Sequence, residues 1–251
     1  MDIAICTMFR DSERWHGHNI HQVGKFFEFF EQNSGGHQLT YYVAEGGSTD
    51  NTREVLGRWR ILLDPGRLYI RTSPPPPNVE VASVVSETRF KHLSACGNIP
   101  LREARDDDFT HILWMESDLV PPSDLIPALF EHAETPEWAD TLAVAPVPIF
   151  QQDGRDRFYD TWAFRDLLGR PWGNDDLAWF RNNPLGFVPV SSVGSCVLLN
   201  GTLLREHGID FQEGCFPALC AAGRKAGLNI YVDTTIEVQH PCSQLVNGRL
   251  I

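Results

Sequence analysis

Residues Ile3-Ala4-Ile5-Cys6-Thr7-Met8-Phe9 form a short, almost unbroken apolar run, the length of a strand buried on both faces. Apolar residues then recur at Ile20, Val23, Phe26, Phe27 and Phe30. That spacing predicts a helix over 18–32, stopped by Asn33-Ser34-Gly35-Gly36. A second buried strand is expected at 39–44. It runs into Glu45-Gly46-Gly47-Ser48-Thr49-Asp50-Asn51-Thr52, a polar turn rich in capping residues for a helix reaching Trp59. A third strand follows at 68–72, and Ser73 with the prolines Pro74 to Pro77 implies an extended loop. Residues 81–105 read as helix with a break ahead of Pro100. A fourth strand, His111-Ile112-Leu113-Trp114-Met115, ends in Glu116-Ser117-Asp118. Pro121-Pro122-Ser123-Asp124 opens a helix to His132, with Ser123 as its cap, and 142–146 is a further strand.

The second half is less regular. Residues 150–183, rich in Trp, Asp and Arg, read as a surface-forming insertion. A strand is expected over 188–199, a helix over 216–226 halted by Gly227, and a last strand over 229–239 leading into His240-Pro241-Cys242. Strand and helix alternate through the first half, which predicts an α/β fold: a mixed, mostly parallel sheet flanked by helices. No linker divides the chain, so residues 1–251 are expected to form a single domain. Ligands of such sheets sit beyond the carboxyl ends of the strands, and both unusual polar turns, at Glu45 and Glu116, fall at such ends.

Composition narrows the class. A chain of 251 residues with 42% hydrophobic content can bury a sizeable core. No apolar run approaches the ~20 residues of a membrane span. The start lacks a basic segment followed by an apolar one, so the expected location is cytoplasmic. Lys and Arg total 21 against 33 Asp and Glu, a net charge of −12, which opposes loose association with nucleic acid or an anionic membrane. A protein this acidic needs help to hold a diphosphate, and a divalent cation is the natural agent. Cys6, Cys96, Cys196, Cys215, Cys220 and Cys242 include no C-x-x-C pair and read as free thiols. Cys215 and Cys220 lack the second pair a zinc site needs.

Two segments carry chemistry. In an extended backbone, residues i and i+2 point to one side, so Glu116 and Asp118 can both face one ligand, such as Mg²⁺ or Mn²⁺ on a diphosphate; a solvated turn is the alternative. The glycines of the 45–52 turn permit close approach of a ligand to backbone, while its Ser, Thr, Asp and Asn residues serve equally well as helix caps. His16, His18 and His21 do not share one helical face, which favours surface or acceptor-side histidines over a metal site. Trp15, Trp162, Trp172 and Trp179 suit core packing or stacking on sugar rings.

Together, Glu45-Gly46-Gly47-Ser48-Thr49-Asp50-Asn51-Thr52 resembles the D-G-S-x-D-x-T loop of GT-A glycosyltransferases. Glu116-Ser117-Asp118, about seventy residues later at another strand end, resembles their D-x-D motif. Tyr159-Asp160-Thr161-Trp162-Ala163-Phe164-Arg165-Asp166 resembles the Y-D-T-x-x-x-R-D segment of the fungal capsule-associated α-mannosyltransferases, the longer and more discriminating match. The resemblance implies a Rossmann-like GT-A domain with a nucleotide-binding half, 1–120, and an acceptor-binding half, 121–251. It implies a UDP- or GDP-sugar donor and a divalent cofactor, Mn²⁺ or Mg²⁺. Donor contacts would come from Thr7, Phe9, Arg10, Glu45, Gly46, Gly47, Asp50, Arg89, Glu116 and Ser117. The metal would fall to Glu116, Asp118 and His240. Asp160, Asp166 and Glu213 are the implied catalytic or sugar-binding acids. Arg165 joins Asp160 and Asp166 as a sugar-binding candidate, and a structural ion pair is the alternative for all three.

The sequence departs from the family pattern in carrying Glu at 45 and 116. The extra methylene lets Glu116 reach ribose or a metal-bound water, and leaves Asp118 the firmer ligand. Gly214 stands where the second acid of the family's E-D motif would follow Glu213, which leans towards retention of anomeric configuration. The acceptor class is open between a glycan, a small molecule and a modified DNA base. Two other activities compete: a nucleotidyltransferase, although Ile5 to Arg10 lacks its glycine-rich loop, and a non-catalytic nucleotide-sugar-binding module.

Overall fold

A computed structural model of the chain describes residues 1–12, 22–73, 87–241, 245–246 and 249–250. Trp15, His16, His18, His21, Pro74 to Pro77 and Cys242 lie outside the described residues, as do the first parts of the helices expected over 18–32 and 81–105.

β1 (Asp2–Phe9) is flanked by β2 (Gln38–Glu45) and β4 (His111–Met115), and β3 (Leu68–Thr72) pairs with β2; all three pairings are parallel. Alternate side chains of β1 feed two cores. Ile3, Ile5 and Phe9 pack with Val23, Phe26, Phe27 and Phe30 of α1 (Gln22–Gln32) and Leu56 of α2 (Thr52–Leu62). Ala4 and Cys6 face Leu101 and Ala104 of α3 (Glu87–Asp106) on the other side. A sheet apolar on both faces must be covered twice, so the helices fall into two outer layers. Each fully buried Leu or Phe contributes about 1.5–3 kcal/mol to that arrangement.

Beyond β4 the sheet becomes mixed. β8 (Cys196–Asn200) runs antiparallel to β4 and to β5 (Thr141–Gln152). β9 (Asn229–His240) is parallel to β5, β7 (Phe187–Pro189) is antiparallel to β9, and β6 (Arg155–Phe158) forms a hairpin with β5. The order is β3-β2-β1-β4-β8-β5-β9-β7, so strands from both halves of the chain share one sheet. After β3 the chain returns to add β4 on the other side of β1; in open sheets of this kind the carboxyl ends of strands at such a reversal are where ligands bind. The remaining helices are α4 (Leu125–Ala133), α5 (Asn174–Asn182), α6 (Gly201–Glu206) and α7 (Cys215–Lys225). None of the described helices is long and apolar enough to cross a membrane.

Four expectations are corrected. α3 runs through Pro100 without a break. An interior proline costs about 3 kcal/mol, but the helix is fastened there by Asn98, whose side chain donates to the Phe211 carbonyl at 2.7 Å and accepts from its N–H at 2.8 Å. Ser123 does not cap α4: Asp124 precedes the helix, and the Pro122 carbonyl accepts from Leu125 at 3.0 Å. The strand expected over 188–199 is two strands, β7 and β8, separated by a loop over 190–195. Residues 150–183 are no mere surface insertion, since Phe158, Phe164, Trp172, Leu177 and Phe180 join the core.

Candidate active site at the carboxyl ends of β4 and β9

The turn after β1 is stitched to the turn after β2. Asp11, in a left-handed conformation at φ 47°, accepts from the Thr49 N–H at 2.7 Å, and its own N–H donates to Ser48 Oγ at 3.0 Å. Ser12 N–H donates to Thr52 Oγ1 at 2.7 Å. Gly46 N–H continues the ladder to the Phe9 carbonyl at 2.8 Å, and Gly47 adopts φ 75°, which favours glycine. The Asp50 carboxylate accepts from Thr52 N–H at the start of α2.

Glu45 is buried within this turn. One carboxylate oxygen accepts from Ser48 N–H at 2.6 Å and the other from Arg53 Nε at 2.7 Å. Burial pushes the carboxyl up, but the Ser48 and Arg53 hydrogen bonds and the Arg53 charge outweigh it and hold Glu45 below the usual range. Its side chain therefore braces the turn from inside. Thr7, fully buried one pleat below, has a hydroxyl without a hydrogen-bond partner among the described residues. Arg10 packs its aliphatic stem against Gly46.

The acids gather one strand over. β4 delivers Glu116 and Asp118, and β9 delivers His240. Asp118 Oδ2 lies 3.2 Å from His240 Nε2, joining residues 122 positions apart. His240 Nδ1 lies 2.9 Å from the Pro241 carbonyl, an obligate acceptor, so Nδ1 carries a proton, and Nε2 faces Asp118. An imidazole nitrogen and a carboxylate oxygen at that distance are joined by a proton or by a cation held between them. Asp160, after β6, completes the group: it accepts from Ala163 N–H at 2.9 Å and from Ser195 Oγ at 2.7 Å. Burial, then the charges of Asp118 and Asp160, push the Glu116 carboxyl well above the usual range, with Arg89 pulling the other way. Burial likewise raises Asp160, against its hydrogen bonds and the charge of His240. Tyr159 stacks on His240 with ring centroids 3.9 Å and planes 18° apart, and burial, then the three acids, raise its phenol.

The 190–195 loop supports both acids. Ser195 N–H belongs to a residue at φ 63°, a conformation costing a non-glycine residue about 1–2 kcal/mol. Its carbonyl accepts from Glu116 N–H at 2.8 Å while its hydroxyl holds Asp160. A Cβ on Gly194 would stand 2.6 Å from Asp160 Oδ2 and 2.5 Å from Ala163 Cβ. These supports were missed in the sequence, although four small or polar residues, Ser191, Ser192, Gly194 and Ser195, interrupt the apolar run there.

Other expected residues stand differently. Ser117 accepts from Gln22 Nε2 at 2.9 Å. Asp166 serves a turn of its own, accepting from the Leu168 and Arg170 N–H groups and from Arg170 Nε. Glu213 is exposed and pairs with Lys91 at 3.3 Å. Trp172 is buried in the core, Trp162 is partly exposed against Phe90, and Trp179 is half exposed on α5. Among the described residues, no three His, Cys, Asp or Glu side chains come together to hold a metal by themselves.

No family model matches the chain, and no curated protein does. Solved structures match across nearly its whole length. S. aureus TarS (residues 1–349) superposes with a TM-score of 0.57 at 12% identity, covering 96% of this chain and 60% of that one. The mannosyltransferase PcManGT from Pyrobaculum calidifontis, in complex with GDP-Man and Mn²⁺, gives 0.55 at 12% over 94% of this chain and 56% of its own. GalNAc-T7 with UDP, GalNAc and Mn²⁺ gives 0.56 at 11%, over 96% and 44%. The fold is GT-A. These identities speak to architecture alone, and the chain spans about three fifths or less of the length of these glycosyltransferases.

Proposed function

We propose that the chain is a metal-dependent glycosyltransferase that moves a sugar from a UDP- or GDP-sugar to an acceptor hydroxyl. One observation carries the reading: the carboxyl ends of β4 and β9 bring Asp118 within 3.2 Å of His240, beside Glu116 and Asp160. The donor set fits a divalent cation. His240 donates its other ring N–H to a backbone carbonyl, the arrangement that fixes a metal-binding imidazole, and a two-residue site leaves room for diphosphate oxygens. The solved relatives with this fold include complexes with UDP, with GDP-Man and Mn²⁺, and with UDP, GalNAc and Mn²⁺, which supports the same ligand classes here.

In this scheme Asp118 and His240 hold the cation, which when bound neutralises charge on the departing nucleoside diphosphate. Glu116 stands beside them to contact ribose or a metal-bound water. The Glu45-braced turn presents Gly46 and Gly47 to the nucleoside, and Arg89 opposes the acids from α3. Asp160, held by Ser195 and Ala163, is the acid best placed to orient a sugar hydroxyl. The resemblance of residues 159–166 to the capsule-associated enzymes supports mannosyl transfer with retention. Gly214, in place of a second acid after Glu213, leans the same way. A glycan or small molecule is the favoured acceptor for a chain of net charge −12, with a modified DNA base as the further candidate.

A thermal-shift panel of UDP-, GDP-, CDP- and dTDP-sugars with and without Mn²⁺ tests the reading. Ligand at 100 times its Kd stabilises by about 2.7 kcal/mol, and stabilisation is expected for one nucleotide and to require the metal. A panel flat for every nucleotide sugar with Mn²⁺ present would remove the proposal.

A further inference from the structure

The His240 imidazole is constrained from three directions. Nδ1 donates to Pro241 at 2.9 Å, Nε2 meets Asp118 at 3.2 Å, and the Tyr159 ring lies flat against it at 3.9 Å. Tyr159 is itself fixed. Its N–H donates to the Pro148 carbonyl at 2.9 Å, and its ring meets the edge of Phe150 at 6.3 Å and 71°. Phe150 is in turn the register partner of His240 in the β5–β9 ladder. The imidazole thus rests on a platform built by the hairpin of β5 and β6. Imidazole is nearly symmetric in shape, and a half-turn about its Cβ–Cγ bond would put carbons where the two nitrogens stand. An aromatic ring pressed against its face blocks that rotation, because the imidazole cannot swing edge-on without displacing it.

We propose that Tyr159 is a positioning residue: its ring face locks the tautomer and direction of the His240 imidazole, and so sets the affinity of the Asp118–His240 pair for a divalent cation. The inference rests on the pair being the cation site. It assigns the work to the aromatic face and none to the phenol hydroxyl, so Tyr159→Phe and Tyr159→Leu must part company.

Two measurements on the full chain decide it. The first, on metal-free protein, is the ¹H–¹⁵N signature of the His240 ring, identified by its loss in His240→Gln. The second is Mn²⁺ titration by electron paramagnetic resonance in the presence of UDP and, separately, GDP. Tyr159→Phe is expected to match the parent in both. Tyr159→Leu is expected to give a mixed or broadened tautomer signal and to weaken Mn²⁺ about tenfold or more, the scale on which orienting partners of metal ligands act. Tyr159→Met, which refills the space with a flexible side chain, carries the same expectation should the leucine variant fold poorly. A sharp parental Nδ1–H signal with parental Mn²⁺ affinity in the folded Leu or Met variant overturns the inference. So does a phenylalanine variant as impaired as leucine. If His240→Gln binds Mn²⁺ like the parent, the cation-site reading fails instead, while the ring spectrum still reports separately whether Tyr159 orients the imidazole.

Discussion

Asp118 and Gly194 show how single atoms set this site. Asp118 Oδ2 meets His240 Nε2 at 3.2 Å, so Asp118→Ala removes half of the proposed cation site and leaves the sheet beneath untouched. Turnover should fall by about 10²–10³ or more, in line with the loss of one electrostatic group aimed at a leaving group. The melting temperature without ligand should hold, and the Mn²⁺-dependent shift with nucleotide sugar should disappear. Near-parental turnover in this variant would refute the assignment. Gly194 acts by being small. In Gly194→Ala the new methyl meets Asp160 Oδ2 and the Ala163 methyl at 2.6 and 2.5 Å, so the 190–195 loop or Asp160 must move. Overpacking of this kind costs about 1–3 kcal/mol. Because Ser195 joins the same loop to both Glu116 and Asp160, turnover should drop further than the loss of folded protein explains. Parallel measurement of melting temperature and initial rate separates the two.

Elements long enough to show a period were legible in the sequence, and short or aperiodic ones were not. β1, β2, β3, β4 and α7 lie within a residue or two of their expected bounds, because each carries a short apolar run or period bounded by polar or turn residues. α6 escaped notice at six residues, too few for a helical period to declare itself. Its start rests on Asn200, whose Oδ1 accepts from Leu203 N–H at 3.2 Å while Nδ2 donates to the Trp138 carbonyl at 3.0 Å. Asn200→Ala removes the cap and a tie to the 3-10 turn Pro136–Asp140, and is expected to cost about 1–2 kcal/mol. Chemical denaturation measures this, and a loss below a few tenths would show that packing alone holds α6. The site divides the same way. Glu116, Asp118 and His240 stood out as polar residues at strand ends, a local feature. Ser195, Gly194 and Tyr159 act through contacts 31 to 81 positions away, which one strand or turn does not encode.

The sheet joins the two halves of the chain, and its acid tolerance depends on carboxylates bonded far from the proposed catalytic group. Asp233 sits where β9 shifts register against β5, between Pro146 and Val147. It is buried, lies 2.5 Å from His132 Nε2 on α4, and accepts from both Thr235 N–H and Thr235 Oγ1. Burial pushes its carboxyl up, but the His132 and Thr235 hydrogen bonds outweigh that and leave it lowered, as Ser48 and Arg53 leave Glu45. Unfolded Asp and Glu titrate near 3.9 and 4.3. A carboxylate lowered in the folded state contributes stability that is fully present above those values, and the contribution is lost as pH falls through the folded pKa. Stability should therefore change little from these two groups between pH 7 and 5 and decline steeply below about 4. Asp233→Asn keeps the shape but donates where the carboxylate accepted, so it should lose about 1–3 kcal/mol at neutral pH. It should also have a shallower decline below pH 4 than the parent, since one of the protonations that drive unfolding is gone. Melting temperatures from pH 3 to 7 for parent and variant test both halves. Parallel curves with a constant offset would mean that Asp233 contributes packing and no proton linkage.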